Sequence, residues 1–249
     1  LTNKEKIFSQ NNQILKKIIK SKKKINFNGI SIDSRTIKKD NLFLTIKGKK
    51  NDGTDFINVA LKKGAKYIVS SKLKKKYKKK TILVKDEINF LNRFASIKRD
   101  LTTAKIFAIT GSAGKTSLKN LIRELMQNFG ETFSSPKSYN NHYGVPLSLS
   151  QLNLNHKYGV FEIGMSKAGE INNLTKLVRP HIGIITNIAE AHIENFKNLK
   201  GIAEAKGELI NHIEEKGTII LNRDDKFFFH LAKKAKYKNL RIVSFGINK

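Results

Sequence analysis

The segment TGSAGKTS at residues 110–117 constrains the fold most, because it lies between an apolar run and a helix-like stretch. The apolar run covers residues 106–109, and the helix-like stretch covers residues 118–129. A glycine loop between a strand and a helix lets backbone N–H groups and the positive helix end face phosphate oxygens. The pattern therefore predicts a nucleoside triphosphate site, whose candidate binding residues are Gly111, Ser112, Ala113, Gly114, Lys115, Thr116 and Ser117.

Two side chains of this loop have chemical tasks in such a site. Lys115 can reach the β- and γ-phosphates, and Thr116 can offer its hydroxyl to Mg²⁺. The common form of the motif has a glycine six residues before the lysine, whereas this chain has Ile109 there and its first glycine at Gly111. We interpret this shorter form as a phosphate loop. The alternative is a glycine turn that merely joins a strand to a helix.

The predicted elements fall into two groups that meet near residue 104. Before that point, short β-rich runs and helix-like stretches predict a small mixed α/β domain over residues 1–103. Its predicted helices are 4–20, 55–63 and 88–100, and its predicted strands are 29–33, 42–46, 66–70 and 81–84.

From residue 105 onward, strands and helices alternate along the chain. This order predicts a mostly parallel sheet with helices on both faces over residues 104–249, with its ligand at the carboxyl ends of the strands. The predicted strands are 105–110, 158–163, 182–187, 217–221 and 240–245, and the predicted helices are 115–128, 168–178, 199–212 and 224–235.

The charge of the chain is strongly positive, at +29 from 49 Lys and Arg against 20 Asp and Glu. Such a balance can indicate a polyanion partner, but most of it is lysine in runs at residues 22–24 and 72–80, without an arginine cluster. We favour a solvated lysine surface and expect no specific nucleic-acid partner; a specific polyanion site is the alternative. A salt titration of polynucleotide binding separates the two, because a real site gives a steep slope.

Composition also bears on the compartment. The chain has no apolar stretch near the roughly 18 residues that a membrane span requires, so we expect a soluble globular protein. It has no cysteine, which excludes disulfides and thiolate metal sites. An ATP requirement places the expected site of action in the cytoplasm, and we expect a monomer.

Polar residues follow the predicted strand ends, where the ligand of such a sheet is expected. Glu162 interrupts an apolar run, and a Mg²⁺ ligand opposite Thr116 would explain a carboxylate there. His192 follows the strand at 182–187, and Lys206 lies on the next helix. Taken singly, the histidine and the lysine are more often surface residues; their joint place at the nucleotide edge favours a role in the site.

Several strings together resemble the Mur ligase family of peptidoglycan synthesis, in order and in spacing. They are TGSAGKTS, SYNNHYGVPLSL at 138–149, FEIGMSKAGEI at 161–171, TNIAEAHIENFKNLKGIAEAKGEL at 186–209 and LNRDD at 221–225, with SIDSRTIKKDNLFLTIKGKKNDGTDF at 31–56 upstream. Within the family, they look most like the branch that adds D-alanyl-D-alanine to UDP-N-acetylmuramoyl-tripeptide.

The resemblance implies ATP-dependent amide formation through an acyl phosphate. On this basis Lys115 would neutralise the transferred phosphoryl group, and Thr116 and Glu162 would hold one Mg²⁺. His192 would bind a second Mg²⁺, supported by Lys206 as the family's carbamylated lysine. These implied catalytic residues are Lys115, Glu162, His192 and Lys206, and the implied metal ligands are Thr116, Glu162, His192 and Lys206.

The resemblance also implies three groups of binding residues. Asn222 and Asp225 correspond to the family's nucleoside contact. The expected uridine diphosphate pocket comprises Ser34, Arg35, Asp52, Gly53 and Thr54, and the expected muramoyl contacts are Asn140 and Asn141.

The resemblance covers about residues 30–249, and the family has a further stretch of central domain followed by a C-terminal ligase domain that closes over ATP. We therefore expect residues 1–249 alone not to ligate at a useful rate. Another Mur ligase or a folate polyglutamylating enzyme is the alternative within the superfamily. A lysine-rich P-loop protein acting on nucleic acid is the alternative outside it.

Overall fold

The computed structural model describes residues 2–20, 24–48, 51–191 and 193–247. The chain divides into two compact units, Leu1–Asp100 and Leu101–Lys249. Among the described residues, no helix is long and apolar enough to cross a membrane.

The first unit is built around a four-stranded parallel sheet. Its strands lie side by side in chain order, so that the carboxyl ends of neighbouring strands share one edge. The strands are β1 (Ile30–Ser31), β2 (Leu42–Leu44), β3 (Tyr67–Ser70) and β4 (Thr81–Leu83). The helices are α1 (Asn3–Ile19), α2 (Ile57–Lys62) and α3 (Glu87–Leu101), and short 3-10 turns cover Gly53–Phe56 and Lys75–Lys80.

The helix α1 starts at a capping box and buries one apolar face. The Thr2 hydroxyl accepts from the Glu5 N–H, and the Glu5 carboxylate accepts from the Thr2 N–H. This reciprocal pair satisfies two N–H groups that a helix start leaves without partners. Its buried residues Ile14, Leu15 and Ile18 recur at helical spacing, as expected for a helix packed on a core.

The second unit contains a six-stranded sheet whose neighbouring strands are all parallel. The strand order is β10-β9-β8-β5-β7-β6, so β5 lies between β8 and β7. The strands are β5 (Lys105–Thr110), β6 (Thr132–Ser134), β7 (Tyr158–Glu162), β8 (Ile182–Ile185), β9 (Thr218–Asn222) and β10 (Arg241–Phe245). The helices are α4 (Lys115–Gln127), α5 (Gly144–Ser150), α6 (Glu170–Val178), α7 (Leu199–Gly207) and α8 (Phe228–Tyr237), with 3-10 turns at Ile193–Asn195 and Glu208–His212.

This architecture confirms the predicted α/β class and its parallel sheet, with a few differences in the elements. The prediction omitted β6 and α5, because three strand residues and seven wholly buried helix residues carry no clear periodicity. The predicted helix 199–212 is in fact α7 followed by a 3-10 turn. The predicted helix 55–63 likewise begins as a 3-10 turn before α2.

A buried lysine lies between two helices of the first unit. Lys98 on α3 is 1% exposed, and its ammonium donates to Gln10 Oε1 on α1 at 2.7 Å. Burial lowers the pKa of Lys98 to about 7. An ammonium held by a neutral amide in a closed interior is costly, because no opposite charge among the described residues compensates for its removal from water.

We predict that Lys98 makes the stability of this protein rise with pH above neutrality. Between about pH 7 and pH 10.5 the unfolded chain keeps the lysine proton and the folded chain loses it, so stability rises by up to about 1.4 kcal/mol per pH unit. Below about pH 7 both states carry the proton, and the full cost of burying the charged ammonium lowers the free energy of unfolding. Lys98→Met should therefore be more stable than the parent at pH 7, and this advantage should shrink towards pH 10.

Urea unfolding at several pH values measures this effect. Lys6→Met, on the exposed face of α1, is the control for the loss of one positive charge. An advantage of Lys98→Met that stays constant from pH 7 to pH 10 would contradict the prediction.

Candidate functional site

The loop after β5 is held tightly against the end of β8. Gly111 has φ +149, and a Cβ built on it would lie 1.8 Å from Thr186 Oγ1. Thr186 Oγ1 also donates to the Ala113 carbonyl at 2.7 Å, so the Thr186 side chain packs directly against the loop. A glycine is needed at Gly111 both for its backbone angle and for this close approach.

Asn187 braces the same loop from the neighbouring strand end. Its Oδ1 accepts from the N–H groups of Ser112 at 3.1 Å and Ala113 at 2.9 Å. The Ser112 hydroxyl adds a second link between the loop and the segment after β8, since it donates to the Ala189 carbonyl and accepts from the Ala189 N–H. The first N–H groups of α4 have no partner within the helix, so they remain the groups that face a bound anion.

The carboxylate of Glu162 is the centre of the polar cluster beside this loop. Glu162 ends β7 and is 1% exposed. Its Oε2 accepts from the Thr116 hydroxyl at 2.8 Å, and its Oε1 accepts from Asn140 Nδ2 at 2.7 Å. The structure thus brings together three residues that the sequence placed in the site.

Lys115 begins α4 and folds back over the loop. Its ammonium donates to the Gly111 carbonyl at 2.7 Å and approaches the Ser112 carbonyl at 3.4 Å. Burial lowers the pKa of Lys115, and the negative charge of Glu162 partly opposes this shift. The ammonium therefore lies over the loop, where it can meet a phosphate.

Lys206 lies in the last turn of α7 and is 3% exposed, so it is not the solvated lysine typical of a helix. Burial, and to a smaller extent the positive charge of Lys115, lower the pKa of Lys206 to about 8. Lys206 and Lys115 are thus close enough for their charges to interact. His192, predicted as its metal partner, lies outside the described residues.

Two other predicted residues have local hydrogen bonds at the same sheet edge. Asn141 Oδ1 accepts from the Tyr143 and Gly144 N–H groups at the start of α5. Asn222 Oδ1 accepts from the Asp224 N–H after β9. These bonds shape the turns, and the predicted muramoyl and nucleoside contacts of the two asparagines stay predictions.

Asp225 ties together two segments of the second unit. Its Oδ2 accepts from the Ile188 N–H at 2.6 Å, and its Oδ1 accepts from the Phe227 N–H at 2.9 Å. Ile188 follows the brace residue Asn187, so Asp225 supports the segment that holds the phosphate loop. The nucleoside contact predicted for Asp225 stays a prediction.

In the first unit, the predicted turn Asp52, Gly53, Thr54 lies against the end of β2. A Cβ on Gly53 would lie 2.6 Å from the Thr45 carbonyl carbon, so only glycine allows this approach. Asp52 accepts from the Thr54 N–H at 2.9 Å and from the Lys72 ammonium at 2.9 Å. These hydrogen bonds, of which the backbone bond is the larger cause, hold the pKa of Asp52 well below its usual range.

Two lysines of the run at residues 72–80 therefore have specific partners. Besides Lys72, Lys74 donates to the Thr54 carbonyl at 3.0 Å. The run continues as an exposed 3-10 turn, Lys75–Lys80. The sequence predicts one solvated lysine surface for the whole run. In the structure Lys72 and Lys74 bond the turn at residues 52–54, whereas the later lysines are exposed.

Ser34 and Arg35 follow β1 at the same sheet edge. Ser34 is buried, while the Arg35 side chain is largely exposed and makes a two-pronged ion pair with Asp33. The predicted pocket residues thus follow two neighbouring strands, β1 and β2, at their carboxyl ends. All five predicted pocket residues therefore lie at the same edge of the sheet.

Two residues that sequence reasoning missed also belong to the site's framework. Lys119, one turn after Lys115 on α4, is buried beside Glu162 with its ammonium 3.8 Å from Oε2. Glu208 accepts from the Gly169 N–H at 2.7 Å and the Asn172 N–H at 2.9 Å, which fixes the start of α6 beside α7. The spacing of four between Lys115 and Lys119 was the available signal, since it puts both on one side of the helix.

A parallel sheet with a glycine loop after its central strand, and a carboxylate at the end of the next strand, defines a phosphate-loop α/β protein. The sequence comparisons identify the family. The chain belongs to the Mur ligase family: residues 109–249 match the Mur ligase middle domain. Residues 26–99 match the profile described as Mur ligase family, catalytic domain.

Two similar curated proteins share the name UDP-N-acetylmuramoyl-tripeptide--D-alanyl-D-alanine ligase. The Rickettsia prowazekii protein is 36% identical, over 89% of this chain and 50% of its own length. The protein of Buchnera aphidicola subsp. Acyrthosiphon pisum is 39% identical, over 89% of this chain and 48% of its own length. The chain thus spans about half the length of these relatives.

Solved structures show the same similarity. MurF from Acinetobacter baumannii has a TM-score of 0.83 at 29% identity, covering 94% of this chain and 53% of that one. MurF ligase from Thermotoga maritima in complex with ADP has a TM-score of 0.75 at 28% identity, covering 88% of this chain and 50% of that one.

We predict unequal costs for adding one methyl group at the two glycines of the phosphate loop. Gly111→Ala must displace Thr186 in addition to keeping a strained φ, so it should cost about 3 kcal/mol or more. Gly114 has φ +79 but nothing within 4 Å of its Cβ position, so Gly114→Ala should cost only the strain, about 1 kcal/mol. Chemical unfolding of both variants tests this order, and equal destabilisation would refute the packing argument.

Proposed function

We propose that this chain carries the ATP site and the UDP site of a ligase that adds D-alanyl-D-alanine to UDP-N-acetylmuramoyl-tripeptide in peptidoglycan synthesis. The observation that carries the proposal is the contact between the Thr116 hydroxyl and the buried Glu162 carboxylate beside the phosphate loop. The name shared by the curated relatives supports the choice of substrates. It does not favour another Mur ligase or a folate-directed enzyme.

The phosphate loop would bind the ATP phosphates through the first N–H groups of α4 and the Lys115 ammonium. Transfer of the γ-phosphoryl group to the tripeptide carboxylate breaks its bond to the β-phosphate oxygen and gives an acyl phosphate and ADP. The dipeptide amine then attacks the acyl carbon, and phosphate leaves as the amide forms. Lys115 counters the charge on the transferred group in the first step.

Thr116 and Glu162 fit a magnesium site. Mg²⁺ prefers oxygen ligands and is usually held by one or two carboxylates together with waters and substrate phosphates. A hydroxyl and a carboxylate oxygen 2.8 Å apart at the start of α4 meet that requirement. The described residues hold no cluster of three or more His, Cys, Asp or Glu. The metal would screen phosphate charge.

Lys206 fits the role of a carbamate that supports a second metal. The ammonium first loses one proton. The neutral amine then adds to the carbon of CO₂ and releases a second proton, so a cation becomes an anion with two oxygen atoms. With a pKa of about 8, about a quarter of Lys206 is neutral at pH 7.5, against about 0.1% for an ordinary lysine. Burial near Lys115 thus favours the reaction, because it disfavours the ammonium.

The first unit would bind the uridine diphosphate part of the sugar nucleotide. Ser34, Arg35 and the turn of Asp52, Gly53 and Thr54 lie at one sheet edge, where ligands of parallel sheets bind. Arg35 supplies an exposed guanidinium, and Lys72 adds a second cation beside Asp52. Both charges suit a diphosphate.

We expect Lys115→Ala and Glu162→Ala to lower the ligation rate about 10²- to 10³-fold in a chain that spans the full length of its relatives. Each variant removes charge stabilisation at the transferred phosphoryl group. Binding of the UDP-sugar should be unchanged in both, because residues 26–99 carry that site; calorimetry measures it. Near-normal turnover in either variant would remove that residue from the proposed chemistry.

We also expect a carbamate signal from Lys206. With ¹³C-bicarbonate and Mg²⁺–ADP present, NMR should show a carbamate carbon that grows from pH 7 to pH 9 and vanishes in Lys206→Ala. The increase follows the neutral amine fraction, which rises through the pKa of about 8. Lys176→Ala, an exposed lysine of α6, is the control. A signal that persists in Lys206→Ala would assign it to another amine.

A further inference from the structure

Lys119 is a buried cation that the proposed chemistry does not use. Its side chain is 2% exposed, and its ammonium donates to the Lys137 carbonyl while lying 3.8 Å from Glu162 Oε2. Both partners of this ammonium belong to the protein itself. Lys119 can therefore influence the site through Lys137 and Glu162.

The backbone at Lys137 adopts a conformation that its residue type disfavours. Lys137 has φ +49, in the left-handed region that is costly for a residue with a Cβ. Such a conformation persists where its surroundings determine it. Lys119 bonds the carbonyl of this same residue, so it is well placed to hold the turn.

The turn at Lys137 leads directly to Asn140, whose contacts reach the carboxylate. The Asn140 carbonyl accepts from the Gly164 N–H at 2.8 Å, and its side chain donates to Glu162 Oε1 at 2.7 Å. Gly164 leaves no spare room here, since a Cβ on it would lie 2.9 Å from Asn140 Cγ. A displaced turn at Lys137 would therefore move Asn140, whose side chain donates a hydrogen bond to Glu162.

We propose that Lys119 is a positioning residue, which locks the turn at Lys137 and thereby sets the orientation of Asn140 and of the Glu162 carboxylate. The proposal rests on the proposed function only in that Glu162 is taken as a metal ligand. Lys119 contacts both sides of this arrangement, because it bonds the turn and lies beside Glu162 Oε2. It acts from α4, the helix that also presents Lys115 and Thr116.

Four variants separate the positional effect from the loss of charge. Lys119→Met removes both the bond to the turn and the positive charge. Lys119→Met with Lys137→Gly restores an unstrained left-handed turn without restoring the charge, because glycine takes positive φ readily. Lys137→Pro forces φ near −65° and breaks the same turn from its exposed side with Lys119 intact. Lys176→Met is the control for the loss of one exposed lysine.

Amide hydrogen exchange of the nucleotide-free chain gives the first readout. The Tyr139 N–H bonds to the Pro136 carbonyl, and the Gly164 N–H bonds to the Asn140 carbonyl, so both report on the turn. Exchange at these two amides should be faster in Lys119→Met and in Lys137→Pro. It should return towards the parent rate in the double variant, and Lys176→Met should match the parent.

Binding of Mn²⁺ in the presence of ADP, followed by electron paramagnetic resonance, gives the second readout. Lys119→Met and Lys137→Pro should each weaken Mn²⁺ binding about 10- to 100-fold, as is typical when a partner of a metal ligand is lost. The double variant should recover most of this loss. A pure charge effect would instead leave the double variant as weak as Lys119→Met and Lys137→Pro near the parent.

Parent-like exchange in both Lys119→Met and Lys137→Pro would overturn the proposal, as would a double variant that recovers neither readout. A parent chain that binds no Mn²⁺ with ADP would count against the proposed metal–nucleotide site. The exchange experiment would still decide the role of Lys119 in that case, because it requires neither metal nor nucleotide.

Discussion

The buried Glu162 carboxylate determines how the residues around it in the second unit are arranged. A carboxylate removed from water is costly unless hydrogen bonds and an opposite charge compensate it. Here the Thr116 hydroxyl, the Asn140 amide and the Lys119 ammonium converge on it from α4 and from the segment before α5. Because these donors come from separate parts of the chain, the requirement of one carboxylate fixes how the phosphate loop, the end of β7 and the asparagine segment lie together.

The sequence predicted this edge of the sheet well where the pattern was strong and local. The strand before the loop was predicted at 105–110, as it is in β5, and the helix after it differs from α4 by one residue. The prediction failed where structure depends on distant partners. The helix α5 consists of seven buried residues whose burial comes from packing on other elements, so its sequence has neither an amphipathic pattern nor a long apolar run.

Lysine shows the limit of sequence reasoning most clearly in this chain. Among 49 Lys and Arg residues, composition favours a solvated surface for each, yet Lys98, Lys119 and Lys206 are buried. In the sequence each of the three is an ordinary helical lysine. The fold alone places Lys98 beside an amide, Lys119 beside a backbone carbonyl and Lys206 within reach of the charge of Lys115. Lys206 could be selected in advance because it fell within a family motif, whereas no motif marked Lys98 or Lys119.

The brace between Asn187 and the phosphate loop has a kinetic consequence. Its amide oxygen already orders the loop through Ser112 and Ala113, so protein groups alone define the shape of the cradle. A ligand entering such a cradle pays little conformational entropy for ordering the backbone, since that cost was met when the chain folded. Association should then be governed by diffusion and by the field of the surrounding lysines, whereas a loop that had to fold around its ligand would add a slower step.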